Sequence, residues 1–216
     1  VAMPMARPAR PCRASAWLSS SAAVCVLVAR AFNRIYDLKM TILGEMEFAY
    51  LGEITTPSRC GRMDQGCAYG TRPIMMTFDG ERMDVRELSV ARDLFFVIVD
   101  LQAGKDTREI LNSLNHCYPF AENELQRNVQ NYLGPVNTRI AHDAATALVA
   151  GDAEEVGRLM KAAQSEFDRH LMPACPSELT APVLHKVLAY PAIQSRILGG
   201  KGVGSQGDGS AQFIVK

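Results

Sequence analysis

Residues 152–171 constrain the fold of this chain more than any other stretch. Asp152-Ala153-Glu154-Glu155 resembles a capping box, which satisfies the free amides of a first helical turn. Val156, Leu159, Met160, Ala163, Phe167 and Leu171 then recur at helical spacing, so this helix must bury one stripe against a second layer. A candidate for that layer is 93–100, whose Leu94-Phe95-Phe96-Val97-Ile98-Val99 run has the unbroken apolar character of a buried sheet strand. Helix stripe and apolar strand together predict α+β layers, with sheet faces covered by helices.

The remaining segments fit that class. Ser20 or Ser21 can begin a helix that runs to Tyr36, because a serine hydroxyl satisfies a first-turn amide. Ala22, Val24, Val26, Leu27, Ala31, Phe32 and Ile35 cover most of its circumference, which predicts a helix buried inside the fold. A second helix is expected over 41–51, then a turn over 57–61 and a strand over 73–78. Gly80-Glu81 is expected to turn the chain between that strand and 93–100. Helices over 121–133 and 136–150 should be separated by a stop and restart at Gly134-Pro135. Prolines 173, 176, 182 and 191 punctuate the next region. Six glycines between Gly199 and Gly209 read as a loop, or as a flexible tail, before a short strand over 211–215.

Composition bounds the function. The chain has 216 residues, 48% of them hydrophobic, enough for a sizeable core in one domain or two small ones. Lys+Arg and Asp+Glu balance at 23 each, which gives no basis for a nucleic-acid partner. Cys12, Cys25, Cys60, Cys67, Cys117 and Cys175 form no C-x-x-C pair, the usage of reduced thiols in a cytoplasmic protein. The four histidines lack zinc-ligand spacing. Arg7, Arg10 and Arg13 precede any acid, so residues 1–16 also read as a targeting segment, while 20–36 is too short and serine-rich for a membrane span.

The segment Thr56-Pro57-Ser58-Arg59-Cys60-Gly61-Arg62-Met63-Asp64-Gln65 places one carboxylate in a glycine-relieved loop between apolar runs. An aspartate in such a turn often only bonds its own backbone; so placed, it can also take a proton from a hydroxyl. Upstream lies Trp17-Leu18-Ser19-Ser20-Ser21-Ala22-Ala23, and late in the chain lies the glycine-rich 199–209 segment. These three, in this order, resemble the GHMP kinases, the family of galactokinase, mevalonate kinase and homoserine kinase. Glu53 precedes Asp64 by eleven positions (64 − 53), as the metal-binding glutamate precedes the aspartate in mevalonate-kinase-like members, whereas Glu45 to Gly52 reads like the corresponding helix of galactokinase-like members.

The resemblance implies a ribosomal-protein-S5-type N-terminal domain over 1–90, incomplete, and a ferredoxin-like C-terminal domain over 91–216. It implies an ATP-dependent kinase acting on a hydroxyl of a small molecule, most often a sugar, with ATP and Mg²⁺ as cofactors. Leu18, Ser19, Ser20, Ser21 and Ala22 would then hold the nucleotide phosphates, with Gly202, Gly204 and Gly207 in the late loop beside them. Ser21 and Glu53 would share Mg²⁺, a hard cation that takes oxygen ligands, and Asp64 would hold and deprotonate the acceptor hydroxyl. The chain departs from the family where Trp17 stands in place of a glycine, and no K/R-x-x-L-x-G-E-H-type segment precedes the serine loop. Both ends therefore read as truncated. The same departures leave open a kinase-like protein that binds nucleotide or sugar without turnover, and an unrelated α+β domain behind a leader is a third reading.

Overall fold

The computed structural model describes residues 20–56 and 61–216. Helix α1, Ser20–Ile35, and helix α2, Ile42–Glu53, form an antiparallel hairpin. Thr41 caps α2, its side chain accepting from the Gly44 amide. The register of the pair is set at three levels. Near the open end the Ser21 hydroxyl donates to Glu53 at 2.6 Å. In the middle Arg30 Nε donates to Glu45 at 2.8 Å. At the connection Asn33 Nδ2 donates to the Met40 carbonyl at 3.1 Å and its Oδ1 accepts from the Met40 amide at 3.0 Å.

Val26, Met46, Ala49 and Ala68 pack between these helices and the 3₁₀ turn Asp64–Tyr69. Glu45 is buried there. Burial pushes its carboxyl up, but the hydrogen bonds from Arg30 and Asn33 and the Arg30 charge together hold it below its usual value. A two-stranded hairpin follows, β1 Ile74–Asp79 and β2 Arg82–Glu87, turning at Gly80, whose φ of +57° suits glycine.

The second part contains a three-stranded antiparallel sheet in the order β3, β5, β4. Strand β3 spans Phe96–Asp100, and β4, Ile197–Gly202, and β5, Ser210–Val215, are the two arms of a late hairpin. Between β3 and β4 the chain is helical: α3 Thr107–Asn115, α4 Glu124–Asn131, α5 Asn137–Ala150, α6 Ala153–His170, α7 Pro176–Leu179, α8 Pro182–Leu188 and α9 Pro191–Gln194. The expected interruption at Gly134-Pro135 is a kink inside a π-helical turn, Tyr132–Val136, through which α4 continues into α5.

Helix α6 is the centre of this part. Asp152 caps it by accepting from the Glu155 amide at 3.0 Å, and Val156, Leu159, Met160, Ala163, Phe167 and Leu171 are all buried, as the stripe predicts. One side packs with Ala147 and Ile214, the other with Ile110, Tyr132, Cys175 and Leu179, where the Tyr132 and Phe167 rings meet edge to face at 5.7 Å. Helix α6 crosses β4 at unusually close range because glycine faces glycine. A Cβ on Gly199 would overlap the Gly157 carbonyl, and one on Gly157 would lie 2.6 Å from the Leu198 carbonyl carbon. Part of the glycine-rich segment is therefore strand rather than loop.

Two expectations of burial fail. Helix α1 is covered along Ala22 and Val26, yet Val24, Leu27, Val28, Phe32 and Ile35 are exposed. Strand β3 lies at the sheet edge with Phe96, Val97 and Ile98 about half exposed. Apolar content signals that a surface can be covered, while burial depends on which neighbours are present; among the described residues these faces have none. The third difference is β2, an extra strand between Gly80-Glu81 and 93–100. Among the described residues no helix is long and apolar enough to cross a membrane.

Candidate functional site

The antiparallel α1–α2 hairpin brings residues 32 positions apart into contact at its open end. There the Glu53 carboxylate is completely buried and accepts two hydrogen bonds, from Ser21 Oγ at 2.6 Å and from Gln65 Nε2 at 2.5 Å. Both donors are neutral, and among the described residues no cation pairs with Glu53. Gln65 is itself buried, and its Oε1 has no hydrogen-bond partner. A buried carboxylate without a cation, beside an orphaned amide oxygen, is an expensive arrangement for a protein to maintain unaided.

Asp64 begins the 3₁₀ turn one residue before Gln65, so the turn that locks Gln65 onto Glu53 also fixes Asp64. The turn sits tightly on the β1–β2 hairpin. A Cβ on Gly66 would come within 3.1 Å of Ile74 Cδ1 and Met76 Sδ. Asp64 is half-buried, and its charge is felt nearby: Cys67 is pushed up by burial first and by the Asp64 charge second.

Ser20 opens α1, whose first turn contains no acidic residue of its own; the carboxylate at this positive end is that of Glu53, held by Ser21. Ala22 is fully buried. Leu18 and Ser19, and with them Trp17, lie outside the described residues, as do Pro57 to Cys60 of the loop before Asp64.

The late glycine loop is the connection from β4 to β5. Gly204, Gln206 and Gly207 all have positive φ, at +63°, +65° and +66°. For Gln206 this is a costly conformation, and its buried Oε1 has no partner. Gly202 ends β4 and donates its amide to Gln164 Oε1 at 2.8 Å, and Asp208 accepts from the Leu184 amide in the first turn of α8 at 2.8 Å. Lys105, from the segment between β3 and α3, inserts into this loop, where its ammonium donates to Ser205 Oγ at 3.1 Å and to the Gln206 carbonyl at 2.9 Å. Burial lowers the Lys105 pKa, and the Asp64 charge offsets part of that shift.

The structure thus joins Ser21 to Glu53 directly and seats Lys105 in the glycine loop. Sequence reasoning passed over two residues of this set. Gln65 stands beside Asp64 in the quoted motif, and the signal for it was its place there. Lys105 carried only a faint signal, a lone cation where an apolar strand gives way to a helix.

Residues 13–71 match the family GHMP kinases N terminal domain. No curated protein matches the chain in sequence. The fold is shared with the L. major mevalonate kinase solved in complex with R-mevalonate, at TM-score 0.63 and 22% identity, over 91% of this chain and 56% of that one. It is shared with the Lactococcus lactis galactokinase complexed with galactose, at TM-score 0.66 and 17% identity, over 90% of this chain and 57% of that one. The homoserine kinase of Cytophaga hutchinsonii aligns at TM-score 0.56 and 20% identity, over 95% of this chain and 58% of the other. The chain spans a little over half the length of these structures. It is an α+β chain with the fold of the GHMP kinases, and its residues 13–71 match that family's N-terminal domain.

Proposed function

We propose that this chain carries the nucleotide and metal site of an ATP-dependent kinase that phosphorylates a hydroxyl of a small molecule. The observation that carries the reading is the buried Glu53 carboxylate, held by the Ser21 hydroxyl and the Gln65 amide with no cation beside it among the described residues. Oxygen donors of this kind fit Mg²⁺, with Ser21 and Glu53 as its holders and water filling the remaining positions. When bound, the metal supplies positive charge to phosphate oxygens.

The chain's own residues supply the rest. Amides at the start of α1 face an anion at the positive end of the helix, the usual place for a phosphate. The loop with Gly202, Gly204 and Gly207 borders the same site. Asp64 accepts the proton of the acceptor hydroxyl as that oxygen bonds to the γ-phosphorus; the bond from the γ-phosphorus to the bridging oxygen breaks, and ADP leaves. We place the acceptor among sugars, on the likeness of Glu45 to Gly52 to galactokinase-like members, and the protein in the cytoplasm on its thiol usage.

Binding separates this reading from a structural one. Glu53→Gln and Ser21→Ala should each weaken Mg²⁺-ATP at least tenfold while changing the affinity for metal-free ATP little, measured by calorimetry with and without chelator. Equal losses in both conditions would make Ser21 a helix residue and Glu53 a packing residue. ATP consumption by the intact protein across sugars, mevalonate and homoserine identifies the acceptor. Nucleotide binding with no turnover on any of them supports the binding-protein reading, which Trp17 in the serine loop favours.

A further inference from the structure

A cleft at the connected end of the α1–α2 hairpin takes no part in the site built on Ser21 and Glu53. Arg34, which lines it, follows Ser21 by 13 positions on α1 (34 − 21), about 20 Å along the helix at its ordinary rise. The cleft has a volume of about 400 Å³, the size of a small-molecule site. Three arginines line it, Arg30 and Arg34 from α1 and Arg72 from the segment before β1, against one carboxylate, Glu45. Glu45 leaves them a surplus of positive charge, because it is buried and both its oxygens are already taken: Oε2 accepts from Arg30 Nε at 2.8 Å and Oε1 from Asn33 Nδ2 at 2.9 Å. Two of the guanidiniums are also fixed in place. Arg30 Nη2 donates to the Ala68 carbonyl at 2.7 Å. Arg72 donates from Nε to the Tyr69 carbonyl at 3.1 Å and from Nη1 to Glu87 at 2.6 Å, and its guanidinium lies 5.1 Å from the centre of the Tyr69 ring. Among the described residues, Arg30 Nη1, Arg72 Nη2 and the whole guanidinium of Arg34 carry no hydrogen bond.

We propose that this cleft binds a phosphate monoester, with its phosphoryl oxygens on Arg34, Arg72 and Arg30 and its organic part against Met40, Ile42 and Tyr69, which also line the cleft. A carboxylate has two oxygens in one plane and is met by a single guanidinium fork. A phosphoryl group has three acceptor oxygens and close to two negative charges, which suits donors carried on separate side chains. Arg30 and Arg72 are held before any ligand arrives, so only Arg34 must be ordered on binding. The proposal stands apart from the kinase reading, whose phosphates lie at the other end of α1.

Calorimetry on the 216-residue chain in chelator, with phenyl phosphate as the probe, tests the site. Phenyl phosphate should bind with a dissociation constant below about 1 mM. Arg34→Met should weaken it at least about tenfold, the loss of one charge-assisted contact, and should leave the Tm in place because Arg34 makes no bond to another described residue. Ser21→Ala should leave the affinity unchanged, which separates the cleft from the start of α1. Inorganic phosphate, which lacks the organic part, and benzoate, which lacks the phosphoryl group, should both bind more weakly. In the parent chain the amide resonances of Ala68, Tyr69 and Gly70 should shift with phenyl phosphate while those of Ser21 and Glu53 stay still, a readout that needs no variant. Absence of binding at millimolar phenyl phosphate overturns the proposal, as does an affinity that survives in Arg34→Met or falls in Ser21→Ala, or a set of shifts confined to the first turn of α1. Inorganic phosphate binding as tightly as the ester overturns the choice of an ester, and benzoate doing so overturns the choice of a phosphoryl group.

Discussion

If Glu53 is built for a metal, replacing it by its neutral isostere should stabilise the chain when no metal is present. Glu53→Gln removes a fully buried negative charge, whose desolvation costs several kcal/mol. It also removes the charge from two hydrogen bonds, at 2.6 Å to Ser21 and 2.5 Å to Gln65, which are worth about 1.5–3 kcal/mol each with an ionised acceptor and about 1 kcal/mol as neutral bonds. The new amide keeps an oxygen for Ser21 Oγ. A half-turn of the Gln65 amide then offers its presently unpartnered Oε1 to the new NH₂, so both contacts survive. The balance is a gain of about 1–3 kcal/mol, or about 2–12 °C in Tm for a chain of this size. Thermal unfolding followed by circular dichroism in chelator measures it. Adding Mg²⁺ and ADP should raise the Tm of the parent chain by mass action and leave Glu53→Gln almost unmoved. A variant that melts below its parent in chelator would show that the protein's own groups already compensate Glu53, and the metal argument would fall with it.

Three other outcomes follow from the same geometry. Asp64→Asn should reduce phosphorylation by the intact protein on the order of 10²–10⁴-fold with nucleotide affinity nearly unchanged, checked by steady-state kinetics alongside calorimetry. Gly199→Ala should cost at least about 1–3 kcal/mol in urea unfolding, because the added methyl overlaps the Gly157 backbone and α6 must lift from β4. Burial, aided by the Asp168 and Glu166 charges, pushes the Tyr132 hydroxyl up to about 12; since the folded state keeps its proton longer than the unfolded chain, the stability this gives is present below pH 10 and is lost between about pH 10 and 12. Tyr132→Phe should lose less stability over that interval in denaturant titrations, and an equally steep alkaline fall would assign it to other groups.

What could be read from the sequence depended on whether the signal was local. Helix α6 was legible in full because its cap and its 3.6-residue stripe lie in one stretch and its core partners only had to be apolar. Strand β2 was not, because Arg82, Asp84, Arg86 and Glu87 hide the alternation of Met83 and Val85, and only pairing with β1 makes the segment extended. Gly199 and Gly200 read as loop residues when scored alone. In the fold they are strand residues whose missing side chains admit the backbone of Gly157 and the ring of Phe213.

The site divides along the same line. Ser21, Glu53 and Asp64 were singled out because a family resemblance supplied a long-range relation that spacing by itself cannot, and of these the structure brings Ser21 and Glu53 into contact. The contact between Ser21 and Glu53 needs the Arg30–Glu45 and Asn33–Met40 bonds to bring two helix ends together. Lys105 had no such guide. It is 41 positions after Asp64 (105 − 64) and 100 before Ser205, and its environment is made by a loop whose glycines are individually uninformative. A lysine on an exposed loop and a lysine laid into a glycine bed are identical in sequence. They differ in the desolvation of the ammonium and in its bonds to Ser205 and Gln206, and both of those exist only once the β4–β5 connection has formed around it. A glycine-rich loop has two physical uses, to admit a phosphate and to seat a cation, and here the contacts at Gly207 and Gly209 show the second.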